Sequence, residues 1–414
     1  MKPKRILIVD DEEMNRDLLE GLVEMFGHDS DTARDGQEAL AKLSPEIDLV
    51  LLDAMMPGMD GFEVARRIRA HPELGQMPII MATALTGKED RLRAVEAGAN
   101  DFVTKPIDRT ELKVRMTSLL KMKEAQDAIK EKQEELRRRN AEMEADLNLA
   151  REFQMAFLPQ QNLSLPRAVG SAESPLRFYY RYYPTSTVGG DFAHLLVLSD
   201  TQAAVFICDV MGHGVRSALL TAILRGLVEE LTPLAADPGQ FLTALNTSLI
   251  AILQRTGTPL FASAFFLVAD VATGEVRYAN AGHPSPFHVR RSAGVAGILG
   301  CSQDIAGPAL GVFEEAVYPT CQSSLADNDL VMVFTDGLFE VEGVDEDFDE
   351  DRLLEAVRQR LTHPAEQLFD ELLAEIQKFA AKRVFDDDVC LVGMEVTRVG
   401  PVNVNTWPSQ EREP

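Results

Sequence analysis

The sequence predicts a multidomain α/β chain: a doubly wound parallel sheet, then a long coiled-coil helix, then a β-sandwich covered by helices. Three observations carry this expectation. Short apolar runs alternate with helically spaced residues up to about residue 118, the stretch from Ile107 to Leu158 contains neither Gly nor Pro, and longer strand-like runs separated by paired helical segments follow Pro159. A length of 414 residues suits two or three domains, and 45% hydrophobic with 26% charged is ordinary globular composition. The formal net charge of −25 repels phosphate backbones and anionic lipid, so neither nucleic acid nor membrane is expected as a partner. No apolar run is long enough to span a bilayer, and Met1-Lys2-Pro3-Lys4-Arg5 passes directly into Ile6-Leu7-Ile8-Val9-Asp10, too short a core for a signal peptide. A cytoplasmic protein is expected. The cysteines Cys208, Cys301, Cys321 and Cys390 lack C-x-x-C spacing, and reduced thiols are the default.

The elements follow in order. Apolar runs at Ile6 to Val9, Leu49 to Leu52, Ile79 to Ala82 and Phe102 to Val103 are short enough for buried strands, with crossover helices such as that carrying Leu18, Leu19, Leu22, Val23 and Phe26 between them. The first domain is expected over 1–118, with its site at the carboxyl ends of the strands. From Ile107 to Leu158 the composition of good helix formers predicts one long helix, or two joined end to end. Ile129, Leu136, Met143, Ala150 and Phe157 repeat every seven residues, with Gln126, Gln133, Asn140, Leu147 and Gln154 as a mostly polar companion seam. That pattern suits a weak parallel coiled coil over 119–158, the alternative being a solvated spacer. Strands are expected at Phe178 to Tyr183, Ala203 to Asp209, Ser263 to Asp270, Glu275 to Asn280, Leu330 to Thr335 and Val389 to Val396, with a turn at Ala272-Thr273-Gly274. Helices are expected at Val215 to Leu231, Pro238 to Gln254, Asp351 to Leu361 and Pro364 to Phe379. This second domain runs over 159–398, and 399–414 is expected to be a disordered tail.

Asp10 and Asp11 end the first strand, Asp53 the third and Thr83 the fourth, while Lys105-Pro106 follows the fifth. In a doubly wound sheet these ends converge, and three carboxylates in one pocket call for a hard cation such as Mg²⁺. One carboxylate can then attack a phosphoryl donor while Lys105 and Thr83 neutralise the transferred group. With Leu51-Leu52-Asp53-Ala54-Met55-Met56-Pro57-Gly58-Met59-Asp60-Gly61, this region resembles the flavodoxin-like (CheY-like) receiver domain of two-component response regulators. The resemblance implies that Asp53 is the phosphoacceptor and that Asp10, Asp11, Asp53 and the Met55 carbonyl hold Mg²⁺. It further implies that Thr83 and Phe102 form a switch pair, that Lys105 contacts the phosphoryl group, and that Lys105-Pro106 is cis.

Four acidic motifs recur in the second half: Gly189-Gly190-Asp191-Phe192, Cys208-Asp209-Val210-Met211-Gly212-His213-Gly214, Thr335-Asp336-Gly337-Leu338 and Asp386-Asp387-Asp388-Val389. The last three adjoin apolar strands, so their carboxylates can gather at one edge of the sandwich. Oxygen ligands favour Mg²⁺ or Mn²⁺, and two ions sharing a carboxylate suit in-line phosphoryl displacement. The motifs resemble PP2C-type serine/threonine phosphatases of the bacterial SpoIIE/RsbU-like branch, whose fold is an α-β-β-α sandwich. By resemblance Asp209 bridges two Mn²⁺ or Mg²⁺ ions, the Val210 carbonyl supports one, Asp336 and Asp387 bind the second, and Asp191 holds metal-bound water or a further ion. Asp388 competes with Asp387 for its role. Asn280-Ala281-Gly282-His283-Pro284 also matches the branch, with a tight turn favoured over a direct role for His283. His194 and Cys390 stand where the branch often has Asp and Thr, which bears on a third metal site. Ala150-Arg151-Glu152-Phe153-Gln154 with Leu158-Pro159 matches the branch's signal-transmitting helix.

The resulting expectation is a response regulator whose phosphorylation at Asp53 controls a metal-dependent phosphoserine/phosphothreonine phosphatase. A cognate histidine kinase or phosphorelay protein would supply the phosphoryl group. The expected substrate is a phosphorylated, STAS-like anti-sigma factor antagonist, and a homodimer is expected through the linker helix. The alternative is a non-catalytic adaptor of the same fold. A diguanylate cyclase is disfavoured, since Gly189-Gly190-Asp191-Phe192 lacks a second acidic residue before Phe192.

Overall fold

A computed structural model of the chain describes residues 2–84, 88–159, 164–165, 174–212, 214–256, 260–300, 306–343, 347–380 and 385–401. His213, Cys301 and residues 402–414 of the expected tail lie outside the described residues. The chain divides into two compact units, Met1–Glu142 and Met143–Pro414. Cys208, Cys321 and Cys390 are buried. Among the described residues no helix is long and apolar enough to cross a membrane.

In the first unit β1 (Arg5–Val9), β2 (Asp29–Ala33), β3 (Leu49–Asp53), β4 (Ile79–Thr83) and β5 (Asp101–Thr104) alternate with α1 (Glu13–Met25), α2 (Gly36–Lys42), α3 (Gly61–Arg69) and α4 (Lys88–Glu96). The strands form one parallel sheet ordered β2-β1-β3-β4-β5. Successive side chains point to opposite faces, so Leu7, Val9, Val50, Leu52, Ile79 and Met81 pack against α2, α3 and α4. Ile6, Ile8, Leu49, Leu51 and Ile80 pack against α1 and the first turns of α5 (Arg109–Phe157), through Leu112, Met116, Leu119 and Leu120. The strand count expected a second strand before Asp53, but no apolar run marked the place of β2. Its residues Asp-Ser-Asp-Thr-Ala carry no apolar run because it is an edge strand with only Ala33 buried.

Helix α5 is continuous over 49 residues, one helix rather than two. Ile129, Leu136 and Met143 of the apolar seam are exposed, at 58%, 57% and 59%.

The second unit contains two antiparallel sheets. Strands β6 (Ser164–Leu165) and β7 (Leu176–Tyr183) lead to β8 (Asp191–Val197) and β9 (Gln202–Val210), followed by α6 (Val215–Glu230) and α7 (Pro238–Thr256). Next come β10 (Ala262–Asp270), β11 (Glu275–Ala281), β12 (Phe287–Arg290), β13 (Val295–Ile298), β14 (Cys321–Ser324) and β15 (Leu330–Phe334). Helices α8 (Glu350–Arg358) and α9 (Ala365–Phe379) precede the last strand, β16 (Val389–Val396). The sheets are ordered β14-β11-β10-β9-β8 and β13-β12-β15-β16-β7-β6. On β9, Ala204, Phe206, Cys208 and Val210 face α6 and α7, while Ala203, Val205 and Ile207 face the other sheet. On the opposite sheet Leu330, Met332, Phe334 and Leu391 face α8 and α9, while Val331, Val333, Cys390 and Val392 point between the sheets. Both sheets are thus buried on two sides, giving four layers in the order α-β-β-α. The turn at Gly274, with φ of +73°, closes the β10–β11 hairpin where the sequence placed it.

Candidate active site

In the parallel sheet, residues at or just beyond the ends of β1, β3, β4 and β5 lie along one edge. Asp10 is 1% exposed and Asp53 6%. The Lys105 Nζ lies 2.8 Å from Asp10 Oδ2 and 2.9 Å from Asp53 Oδ1. Glu12 N and Asn15 Nδ2 both donate to Asp10 Oδ1 at 3.0 Å, which turns Oδ2 toward Lys105. Carboxylate oxygens of Asp10, Asp11 and Asp53 lie within 4.8 Å of one another. Burial, reinforced by Asp10, raises the Asp53 pKa, although Lys105 opposes the shift. Burial works against the charge on Lys105, but its bonds to the two aspartates hold its pKa above the usual lysine value. Three carboxylates this close together, two of them paired with one ammonium, fit a hard divalent cation.

The flanking loop is shaped by backbone limits. The Asp60 side chain accepts from Glu63 N and caps α3, while a Cβ on Gly61 would sit 2.1 Å from the Asp53 carbonyl oxygen. Thr83 is buried at the end of β4, and Phe102 in β5 lies under the Arg115 guanidinium, 5.5 Å from its ring centroid. The Lys105–Pro106 bond is cis.

The second acidic edge is assembled from both sheets of the sandwich. Asp191 opens β8 and stands opposite Asp209 of β9 in the antiparallel register. Asp336 follows β15, and Asp387 and Asp388 precede its neighbour β16. A Cβ on Gly337 would lie 2.1 Å from the Asp388 carbonyl oxygen, so only glycine lets these two segments approach. Thr335 joins the sheets: its Oγ1 donates to Asp191 Oδ2 at 2.6 Å and accepts from Cys390 N at 2.9 Å.

Burial, then the charge of Asp209, pushes the Asp191 pKa well above the usual carboxylate range. Burial followed by Asp336 lifts Asp209 to about 7, partly offset by its hydrogen bond with Asp191. Asp336 is raised by burial, with Glu340 and Asp387 adding to it. Carboxylates that hold one another's pKa up form a site completed by positive charge. This edge is more open than the first: among the described residues, the Asp10, Asp11 and Asp53 trio alone brings three such groups within 4.8 Å.

Geometry separates Asp387 from Asp388. Asp388 is 3% exposed, and its Oδ1 accepts from Thr185 N and Oγ1 at 2.7 and 2.9 Å while Oδ2 accepts from Gly190 N at 2.6 Å. Both its oxygens thus hold the Thr185-to-Gly190 loop. Asp387 is exposed and adds its charge to Asp209 and Asp336. His283 sits in a turn closed by Asn280, whose Oδ1 accepts from His283 N at 2.8 Å. Burial lowers the His283 pKa to about 3, and its Nδ1 lies 2.8 Å from Ser263 Oγ, on the residue opposite Asp209.

Sequence reasoning missed the site roles of Thr335, Thr185 and Gln154. Thr335 was visible as the residue before Asp336, but its reach to Asp191 depends on sheet stacking. Gln154 was expected in a coiled-coil seam and in the motif of the signal-transmitting helix, with no partner assigned to it. Instead it is 7% exposed and hydrogen-bonds both backbone groups of Gly189.

Comparison with known proteins matches residues 6–117 to the response regulator receiver domain family and residues 199–397 to the Stage II sporulation protein E (SpoIIE) family. Response regulator PleD of Caulobacter vibrioides is 43% identical over 135 residues, 32% of this chain and 30% of that protein. Transcriptional regulatory protein ResD of Bacillus subtilis is 44% identical over 118 residues, 28% of this chain and 48% of that protein. The chain therefore spans less than half the length of these curated relatives. The solved SiaA-PP2C domain of Pseudomonas aeruginosa has a TM-score of 0.52 at 20% identity, covering 62% of this chain and 98% of that one, a likeness of fold.

Proposed function

We propose that this chain, in which a response-regulator receiver domain precedes a SpoIIE/PP2C-type phosphatase domain, couples phosphorylation at Asp53 to hydrolysis of a phosphoserine or phosphothreonine on another protein. The observation that carries the reading is the second acidic edge, where Asp191 opposite Asp209 in one sheet comes together with Asp336 and Asp387 from the other, and where burial followed by the charge of Asp336 lifts Asp209 to about 7. In this reading the receiver occupies 1–118, a coiled-coil linker 119–158 and the phosphatase 159–398.

Asp10, Asp11, Asp53 and the Met55 carbonyl would hold Mg²⁺. The Asp53 carboxylate attacks the phosphoryl donor, and Lys105 and Thr83 take up the charge of the transferred group. Asp209, the Val210 carbonyl, Asp336 and Asp387 would hold two Mn²⁺ or Mg²⁺ ions, with Asp191 beside them. Divalent ions supply Lewis acidity toward the phosphoryl oxygens and the attacking water. Asp388 fixes the loop that carries Asp191 rather than serving as a ligand. A histidine kinase or phosphorelay protein supplies the receiver, and the substrate is a phosphorylated, STAS-like anti-sigma factor antagonist in the cytoplasm. The exposed Ile129, Leu136 and Met143 suit pairing of two α5 helices.

The test is Mn²⁺-dependent phosphate release from such a phosphoprotein by the full chain and by Asp209→Asn. Release that depends on Mn²⁺ and disappears in the folded variant is expected. Binding of the phosphoprotein with no turnover in the wild type would leave the non-catalytic adaptor as the better reading.

A further inference from the structure

Gln154 lies on the last turn of α5, one turn before the helix ends at Phe157. It is 7% exposed, its Nε2 donates to the Gly189 carbonyl oxygen at 2.8 Å, and its Oε1 accepts from Gly189 N at 3.0 Å. A primary amide that satisfies both backbone groups of one residue grips it in position and orientation. Its Nε2 also lies 3.5 Å from Thr221 Oγ1 on α6. The end of α5 is itself anchored in this unit, since Leu158 joins the core beneath α6 and α7 and the Arg225 guanidinium sits 4.9 Å from the Phe157 ring centroid.

Gly189 has no freedom to move without moving the acidic edge. Its neighbour Gly190 donates to Asp388 Oδ2 at 2.6 Å and accepts from Val210 N at 3.2 Å, and Asp191 follows directly. Even a methyl group at Gly189 would meet Tyr182 Oη at 2.2 Å and Asp388 Oδ2 at 2.5 Å, and one at Gly190 would meet the Val210 carbonyl oxygen at 2.7 Å. A loop this tightly wedged passes displacement on instead of absorbing it. A slip of α5 by one residue shifts a side chain by about 1.5 Å along the axis and turns it by about 100°, which breaks both amide bonds.

We propose that Gln154 is the positioning residue through which α5 sets the acidic edge, gripping Gly189 so that Asp388, Asp191 and Val210 hold the geometry that binds the divalent ions. The inference rests on the reading of the second unit as a metal-dependent phosphatase and adds the point at which the linker helix acts on it.

The experiment compares the full-length wild type with Gln154→Met, which keeps the size and loses both hydrogen bonds, and with Gln154→Glu, which keeps an acceptor for Gly189 N. Calorimetry with Mn²⁺ reads affinity directly; the receiver site is the same in all three proteins, so differences report the second unit. Hydrolysis of p-nitrophenyl phosphate against Mn²⁺ concentration separates metal affinity from turnover, and hydrogen exchange follows the 186–192 segment. Gln154→Met is expected to weaken Mn²⁺ binding about tenfold, roughly 1.4 kcal/mol. Its half-saturating Mn²⁺ should rise by the same factor while kcat at saturating metal stays within about twofold, with faster exchange at 186–192 and Gln154→Glu in between. An unchanged Mn²⁺ affinity in Gln154→Met overturns the proposal, as does a lowered melting temperature with metal affinity intact, which is what a merely structural contact gives. Wild-type chain that binds Mn²⁺ without hydrolysing anything removes the phosphatase reading, yet the calorimetric comparison still decides the role of Gln154. Wild-type chain that binds no Mn²⁺ outside the receiver overturns both.

Discussion

Replacing Thr335 by Val tests whether the two sheets are joined at the acidic edge as the structure shows. Val matches Thr in shape and removes only the hydroxyl, which donates to Asp191 Oδ2 and accepts from Cys390 N. Thr335 is fully buried and Asp191 is 1% exposed, so water cannot replace either partner without opening the sandwich. A hydrogen bond to a carboxylate contributes roughly 1.5–3 kcal/mol, and leaving the Cys390 N–H unpaired costs about 1–3 kcal/mol more. Because burial already holds Asp191 toward its neutral form, the lower half of the range applies, giving about 3 kcal/mol for the metal-free phosphatase unit. Thr335→Ser keeps the hydroxyl and should cost about 1 kcal/mol for the lost methyl group. The assay is native-state hydrogen exchange in rising urea, read on peptides from β8 and β16, because two units in one chain need not unfold together. A Val variant no less stable than the Ser variant at those peptides would refute the bridge between the sheets.

Three further outcomes are expected. Asp191, Asp209 and Asp336 have native pKa values above the unfolded range near 3.9, so above that range the folded state binds more protons than the unfolded state; the stability Asp209 contributes without metal is fully present at low pH and is lost as pH rises through about 7. With EDTA present, the melting temperature of the second unit should therefore be higher at pH 6 than at pH 8, Asp209→Asn should flatten that slope, and the stabilisation added by Mn²⁺ should grow with pH. Asp53→Asn keeps the shape of the receiver pocket and removes its nucleophile, so label from acetyl phosphate should fall to background; uptake at the wild-type level would misplace the phosphoacceptor. Leu at both Gln133 and Asn140, exposed on α5, should strengthen pairing in sedimentation and make phosphatase activity insensitive to beryllofluoride, whereas a dimer that keeps its full response would remove that seam from the coupling.

The parallel sheet was legible because fully buried strands are written as short apolar runs, and the receiver residues stand directly at their ends. Asp10, Asp11, Asp53, Thr83 and Lys105 needed no long-range information beyond the doubly wound order. Strand β2 could be counted but not located, because an edge strand needs little apolar sequence. Strand β8 was missed for a different reason: it begins inside the Gly189-Gly190-Asp191-Phe192 motif, and only pairing with β9 makes Asp191 the first residue of a strand.

The sequence by itself picked out the acidic residues that gather at the two edges, since carboxylates beside strand ends and glycines beside carboxylates are local patterns. Tertiary structure decided how those residues divide the work. Three consecutive aspartates are equivalent in sequence, yet Asp388 is buried with both oxygens taken by the Thr185-to-Gly190 loop while Asp387 is left at the edge. Gln154 fits a heptad as well as any polar residue, and its grip on Gly189 exists because packing brings together groups 35 positions apart. A hydrogen-bond partner is chosen by distance in space, and that distance is set by how the sheets and helices stack.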